Sequence, residues 1–260
     1  MIKLVASDID GTLILEGQKQ LSNELFQIIK ELKKHNIVFV AASGRQLASM
    51  RRLFSPVADE IYYVSENGAL VQCGDEKIVL YEFDRELAMR IIREVEKFPD
   101  CKLAVSTPST QYIHPGQDAL CDFMVNKVKY HITEVEDFGI IEEPIIKIAF
   151  WNPDSYEESY EHFKGIFENE IRVAKAGNMW IDFISFDSNK GTGLKFLLEK
   201  LHLSKDEAIC FGDQQNDIEM LQYAGTSYAM AHAKEDVKRS ATCVTESVEK
   251  TLQKLLEDMA

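Results

Sequence analysis

The sequence predicts an α/β protein: a doubly wound parallel sheet interrupted by an inserted α+β domain. Three observations predict it. Short apolar runs alternate with stretches of helical periodicity in the first and last thirds of the chain. Those runs are continuous rather than alternating, as strands covered on both faces require. Near Gly68 the rhythm changes to hairpin-spaced strands, and after Lys190 it changes back.

Leu4, Val5 and Ala6 make the first strand, which ends in an acidic turn containing Gly11. Ser22 is placed to cap a helix on which Leu25, Ile28, Ile29 and Leu32 recur at helical spacing. Residues 37–42 are a second apolar run, broken by Gly44. Met50, Leu53 and Phe54 mark a second helix, and 61–64 a third strand. Residues 69–72 and 78–83 flank Gly74-Asp75 as a hairpin. A helix over 84–98 puts Leu87, Ile91, Ile92 and Val95 on one face. Residues 102–106, 145–151 and 180–185 read as strands and 156–167 as a helix. Tyr156, Tyr160, Phe163 and Phe167 recur there at helical spacing, the mark of a core stripe. The parallel pattern resumes with helices at 191–201, 218–223, 235–240 and 248–259, and strands at 208–211 and 226–230. The expected domains are a split core, 1–82 with 187–260, and an insertion, 83–186.

Composition excludes several function classes. The 260 residues are 45% hydrophobic and 28% charged, ordinary for a folded chain, but the net charge is -14. Such a surface repels nucleic-acid phosphates and anionic membranes. Lys33-Lys34 and Arg51-Arg52 are short pairs on solvated helix faces, so no nucleic-acid partner is expected. The five cysteines, Cys73, Cys101, Cys121, Cys210 and Cys243, form no CxxC pair, which argues against zinc and against a disulfide framework. Free thiols, no basic leader and no window of about 20 apolar residues point to a cytoplasmic protein off the membrane. No obligate protein partner is inferred. The six histidines show no metal-ligand spacing.

The chemistry gathers at the ends of the expected strands, where open parallel sheets bind ligands. Asp8-Ile9-Asp10-Gly11-Thr12 follows the first run, and two aspartates two residues apart can both enter that crevice if Gly11 turns the chain. Ser43-Gly44-Arg45 follows the second and offers a hydroxyl, an unhindered N–H and a guanidinium, a set suited to phosphate oxygens. Asn67-Gly68 closes the third, equally well as an ordinary turn. Lys190 opens a helix, and Gly212-Asp213-Gln214-Gln215-Asn216-Asp217 ends a buried run with two carboxylates and an amide. Four polar clusters at four strand ends make a site.

The ordered set DIDGT, SGR, Lys190 and GDQQND resembles the four motifs of the haloacid dehalogenase (HAD) superfamily. The insertion resembles the α/β type IIB cap of its Cof-type sugar phosphatases, and the likeness covers nearly the whole chain. It implies a Rossmann-like core and a Mg2+-dependent phosphatase of small phosphorylated metabolites, sugar phosphates in particular. It implies Asp8 as the nucleophile that forms an aspartyl phosphate, and Asp10 as the acid and base. Ile9, Ser43, Gly44, Lys190 and Asn216 are implied to hold phosphoryl oxygens; Arg45 reaches either phosphate or cap. Asp8 and Asp213, with the Asp10 carbonyl, are the implied magnesium ligands, and Asp217 binds the ion directly or through water. Two other readings use the same residues: a phosphotransferase or mutase, and a non-catalytic phospho-receiver, which needs only about half this length. The chain departs from the family pattern at Gln214-Gln215 and at His232, where relatives commonly carry Asn. His114, His131 and Trp180 are the insertion's candidates for touching substrate.

Overall fold

The computed structural model describes residues 1–98, 102–117, 121–127, 129–176 and 179–259; Cys101 lies outside them. The chain splits into two compact units, Met1–Ile78 with Asn189–Ala260, and Val79–Ser188. In chain order the first segment holds β1 (Leu4–Ser7), α1 (Asn23–Lys34), β2 (Val38–Ala42), α2 (Leu47–Leu53), β3 (Tyr62–Ser65), β4 (Leu70–Cys73) and β5 (Glu76–Val79). The second unit holds α3 (Arg85–Val95), β6 (Lys102–Ser106), β7 (Gln111–Ile113), β8 (Ile132–Glu134), β9 (Lys147–Trp151), α4 (Tyr156–Phe167), β10 (Arg172–Ala176) and β11 (Trp180–Ile184). The last segment returns with α5 (Lys190–Lys200), β12 (Ala208–Gly212), α6 (Ile218–Tyr223), β13 (Thr226–Met230), α7 (Glu235–Ser240), β14 (Cys243–Thr245) and α8 (Val248–Glu257).

The first unit is an eight-stranded sheet in the order β14-β13-β12-β1-β2-β3-β4-β5. Pairing is parallel from β14 through β3, and β4 runs antiparallel to β3. Every residue of β1 and β12 is buried, which is why neither shows a polar alternation. The chain builds outward from β1 to β2 and β3, then comes back to lay β12 on the other side of β1. That reversal opens a crevice at the carboxyl end of the central strands. Around it α1 begins as expected: Leu25 N–H donates to Ser22 Oγ at 3.1 Å, and Leu25, Phe26, Ile28, Ile29 and Leu32 face inward. Helix α5 begins on a reciprocal cap, with Thr192 N–H on Asn189 Oδ1 at 2.9 Å and Asn189 N–H on Thr192 Oγ1 at 3.2 Å. That cap places Lys190 on the helix's first turn.

The second unit is a six-stranded sheet in the order β10-β11-β9-β6-β7-β8, antiparallel except for β7 with β8. Leu103, Val105, Ile148, Phe150, Ile181 and Phe183 line one face and share a core with Ile91, Ile92 and Val95 of α3 and Phe163 and Phe167 of α4. The aromatic stripe of α4 is core, with Tyr156 and Tyr160 packed at its margin. The other face carries Ala104, Ile113 and Ala149, with Trp180 partly buried beside them. His114 contacts Val135 O and Glu96 Oε1, each at 3.1 Å, and His131 Nδ1 contacts Ser109 O at 3.3 Å.

One strand is displaced from expectation. The hairpin's second strand is Glu76–Val79, not 78–83. Phe83 drew it late, but that side chain belongs to the second unit's core, where its N–H donates to Ile145 O.

Candidate active site

Strand β1 delivers Asp8 into the crevice, 5% exposed, with its N–H bonded to Phe211 O of β12. The chain then turns sharply: Leu13 and Ile14 N–H both donate to Ile9 O, and Gly11 sits at φ 93. A Cβ at Gly11 would fall 2.2 Å from Asp213 Oδ2, so the turn needs glycine for its conformation and for the space. Ile9 has no exposed side-chain surface and can serve the crevice only through its backbone. Thr12, 2% exposed, donates from Oγ1 to Asp213 Oδ1 at 2.9 Å and so orients a carboxylate 201 positions away.

Strand β12 delivers the other acids. Asp217 is wholly buried, and its Oδ2 accepts the N–H groups of Asp213 and Gln214 at 2.9 Å each. Gly212 allows this, since a Cβ there would stand 2.5 Å from Asp217 Cβ. Lys190, 1% exposed, lies between two acids: Nζ donates to Asp8 Oδ1 at 2.5 Å and to Asp217 Oδ1 at 2.6 Å. One carboxylate oxygen from each of Asp8, Asp213 and Asp217 falls within 4.8 Å of the others.

The electrostatics follow from one buried ammonium paired with two of three clustered carboxylates. Burial disfavours the Lys190 cation, but Asp217 and Asp8 outweigh it and push its pKa up, so it stays charged. Burial, then Asp217, pushes Asp8 well above the usual carboxylate range despite Lys190. Asp213 is also pushed up, by burial first and Asp217 next, against the Thr12 hydrogen bond. Asp8 Oδ2 is buried and has no hydrogen-bond partner among the described residues.

The remaining sequence candidates lie around this cluster. The Asp10 carboxylate, half-exposed, is gripped by Arg45, with Nε on Oδ2 at 2.7 Å and Nη2 on Oδ1 at 2.5 Å. Arg45 is therefore seen on the acid–base candidate. Ser43 is buried at the end of β2; its N–H donates to Val64 O, and its Oγ accepts Arg45 N–H at 3.2 Å. Asn216 Nδ2 donates to Asn67 Oδ1 at 3.2 Å. Gly44 lies against the same amide, a Cβ there standing 3.0 Å from both Asn67 side-chain heteroatoms. His232 Nε2 comes within 3.6 Å of Asp213 Oδ2. Asn67 is the residue that motif reading left as a turn; its signal was its position at a strand end, beside Gly68.

Residues 5–251 match the family model for haloacid dehalogenase-like hydrolases. The chain is 29% identical over 236 residues to the 5-amino-6-(5-phospho-D-ribitylamino)uracil phosphatase YbjI of Escherichia coli, covering 89% of this chain and 86% of that one. A crystal structure from Eubacterium rectale superposes with a TM-score of 0.88 at 30% identity, over 100% of this chain and 99% of that one. The structure of a HAD subclass IIB sugar phosphatase superposes at 0.79 over 97% of this chain and 98% of that one; at 21% identity the likeness speaks for the fold. The chain belongs to the haloacid dehalogenase-like hydrolase family and is an enzyme of the phosphatase type.

Proposed function

We propose that the protein is a Mg2+-dependent phosphatase of small phosphorylated metabolites, sugar phosphates foremost, acting through an aspartyl phosphate on Asp8. The observation that carries the reading is the Asp8 carboxylate itself: Lys190 fixes one oxygen, and the other is buried with no hydrogen-bond partner among the described residues. A buried anion in that position is costly unless a cation or an electrophile meets it. The three carboxylates fit a divalent ion, because their donors are all hard oxygens and one ammonium leaves them under-compensated. Asp8 and Asp213, with the Asp10 carbonyl, are the residues that would hold magnesium, and Asp217, whose oxygens already accept Lys190 Nζ and two N–H groups, would hold it directly or through water. The ion's chemistry there is to offset the like charges of nucleophile and phosphate.

The chain's own residues then divide the reaction. An Asp8 oxygen attacks phosphorus as the bond to the leaving oxygen breaks, and Asp10 gives that oxygen its proton. Asp10 next takes a proton from water, which attacks the aspartyl phosphate, frees inorganic phosphate and restores Asp8. Arg45 holds Asp10 in orientation, and Lys190 keeps Asp8 from turning away. Ser43, the Gly44 N–H and Asn216 are the proposed phosphoryl-oxygen donors. The units Met1–Ile78 with Asn189–Ala260 and Val79–Ser188 take the parts of core and specificity cap.

One likeness supports a polyhydroxylated leaving group: the E. coli relative, whose named substrate carries a phosphorylated ribityl chain. Cytoplasmic placement rests on the free thiols Cys73, Cys121, Cys210 and Cys243. No helix among the described residues is long and apolar enough to cross a membrane. The test is phosphate release from p-nitrophenyl phosphate and a panel of sugar phosphates with MgCl2. Release that Asp8→Asn abolishes supports the reading; release that Asp8→Asn leaves intact overturns it.

A further inference from the structure

The turn after β3 runs through three consecutive residues at positive φ. Glu66, Asn67 and Gly68 follow one another at φ 49, 54 and 97, all left-handed. Glycine adopts this readily and asparagine tolerates it, but a glutamate there is costly. Strain of this kind persists only where the surroundings over-determine it. Here they do. Glu66 N–H donates to Arg45 O and Asn67 N–H to Ser43 O, which locks the turn onto the loop after β2. Gly68 lies against the start of α5 so tightly that a Cβ would stand 2.1 Å from Asn189 O. The Asn67 carboxamide then does two things: its Oδ1 accepts Asn216 Nδ2, and its heteroatoms lie against Gly44.

We infer that Asn67 is a positioning residue of the phosphate subsite, one that sets the direction of the Asn216 amide and of the Gly44 loop. The inference rests on the phosphatase reading above. A primary amide has two N–H donors. Asn67 takes one of them from Asn216, which fixes the plane of that group and turns the other N–H toward the crevice as a donor to a phosphoryl oxygen. The left-handed turn is what lets residue 67 reach both partners at once. One side chain thus ties the loop after β2 to the loop after β12, which are distant in sequence and must agree in geometry to hold one anion.

Asn67→Gly is the decisive variant, because glycine accepts the left-handed backbone and removes only the amide. Inorganic phosphate binding to the full chain with MgCl2, by calorimetry, and KM and kcat for p-nitrophenyl phosphate are the readouts. The expected result is at least about tenfold weaker phosphate binding, an equal rise in KM, a smaller fall in kcat and an unchanged Tm. Asn216→Ala with Asn67→Gly should cost less than the two single variants added together, since the Asn67–Asn216 bond is shared between them and only the Gly44 contact is lost besides. Phosphate affinity within twofold of wild type in Asn67→Gly, or full additivity in the double variant, overturns the inference. An inactive wild type sinks the phosphatase reading and this inference with it, whereas an active wild type with an unaffected Asn67→Gly sinks the inference alone.

Discussion

Asp8 is held on one side by Lys190 and pressed on the other by Asp217 and Asp213. Asp8→Asn keeps the shape, removes the nucleophile and relieves like-charge repulsion while losing one ion pair. Turnover should vanish with Tm moving by less than about 4 °C, as a scanning calorimeter would show. The raised pKa values of Asp8 and Asp213 also fix a sign. A carboxyl whose folded pKa exceeds its unfolded one favours folding while protonated, and that contribution is lost as pH rises through the folded value. In chelator, Tm should therefore fall as pH climbs from the ordinary carboxylate range toward neutrality, and Mg2+ should flatten that fall. A pH-independent Tm in chelator would refute the crowding of charge described for the cluster. At Gly11, alanine must accept φ 93 and a 2.2 Å approach to Asp213. Gly11→Ala should displace that carboxylate and raise the Mg2+ concentration needed for half-maximal turnover by tenfold or so, a cost of about 1.4 kcal/mol.

At the scale of elements, α5 matters through its first turn. The Asn189–Thr192 cap sets where the helix starts and hence where Lys190 points. Asn189→Ala should cost about 1 kcal/mol in urea unfolding and lower kcat as well, whereas Asn189→Ser should keep most of both. Elements of this kind were legible in the sequence when their signal was local. Ser22 announces α1, and the unbroken apolar runs announce β1, β2 and β12, because burial on both faces leaves only apolar residues. Strands β7, β8, β10 and β14 were not legible. β8, β10 and β14 are edge strands with few buried residues, and β7 opens with a buried glutamine, so no apolar period marks them. The site divides in the same way. Each motif is visible as a contiguous run at a strand end, but the ties between motifs are not. The Arg45–Asp10 pair, the Thr12–Asp213 bond and the Asn67–Asn216 bond join residues 35, 201 and 149 positions apart, and nothing in a linear pattern encodes them.

Across the whole molecule, the two units differ in how the chain builds them. Val79–Ser188 is contiguous and closes its own sheet and its own aromatic core. Expressed alone, 79–188 should fold cooperatively, as circular dichroism in urea would report; a featureless, non-cooperative transition would show that its core is insufficient. The other unit has no such independence, because β1 pairs with β12 in register from Leu4↔Ala208. The central strand of that sheet waits for a neighbour more than two hundred positions downstream. On the ribosome the amino end emerges first and the inserted unit is next to be complete. Asp213 and Asp217 follow Asp8 by more than two hundred positions, so any product that stops before them carries Asp8 without the acids that surround it. On the phosphatase reading, such a fragment should release no phosphate: competence for the reaction waits until translation has passed Asp217.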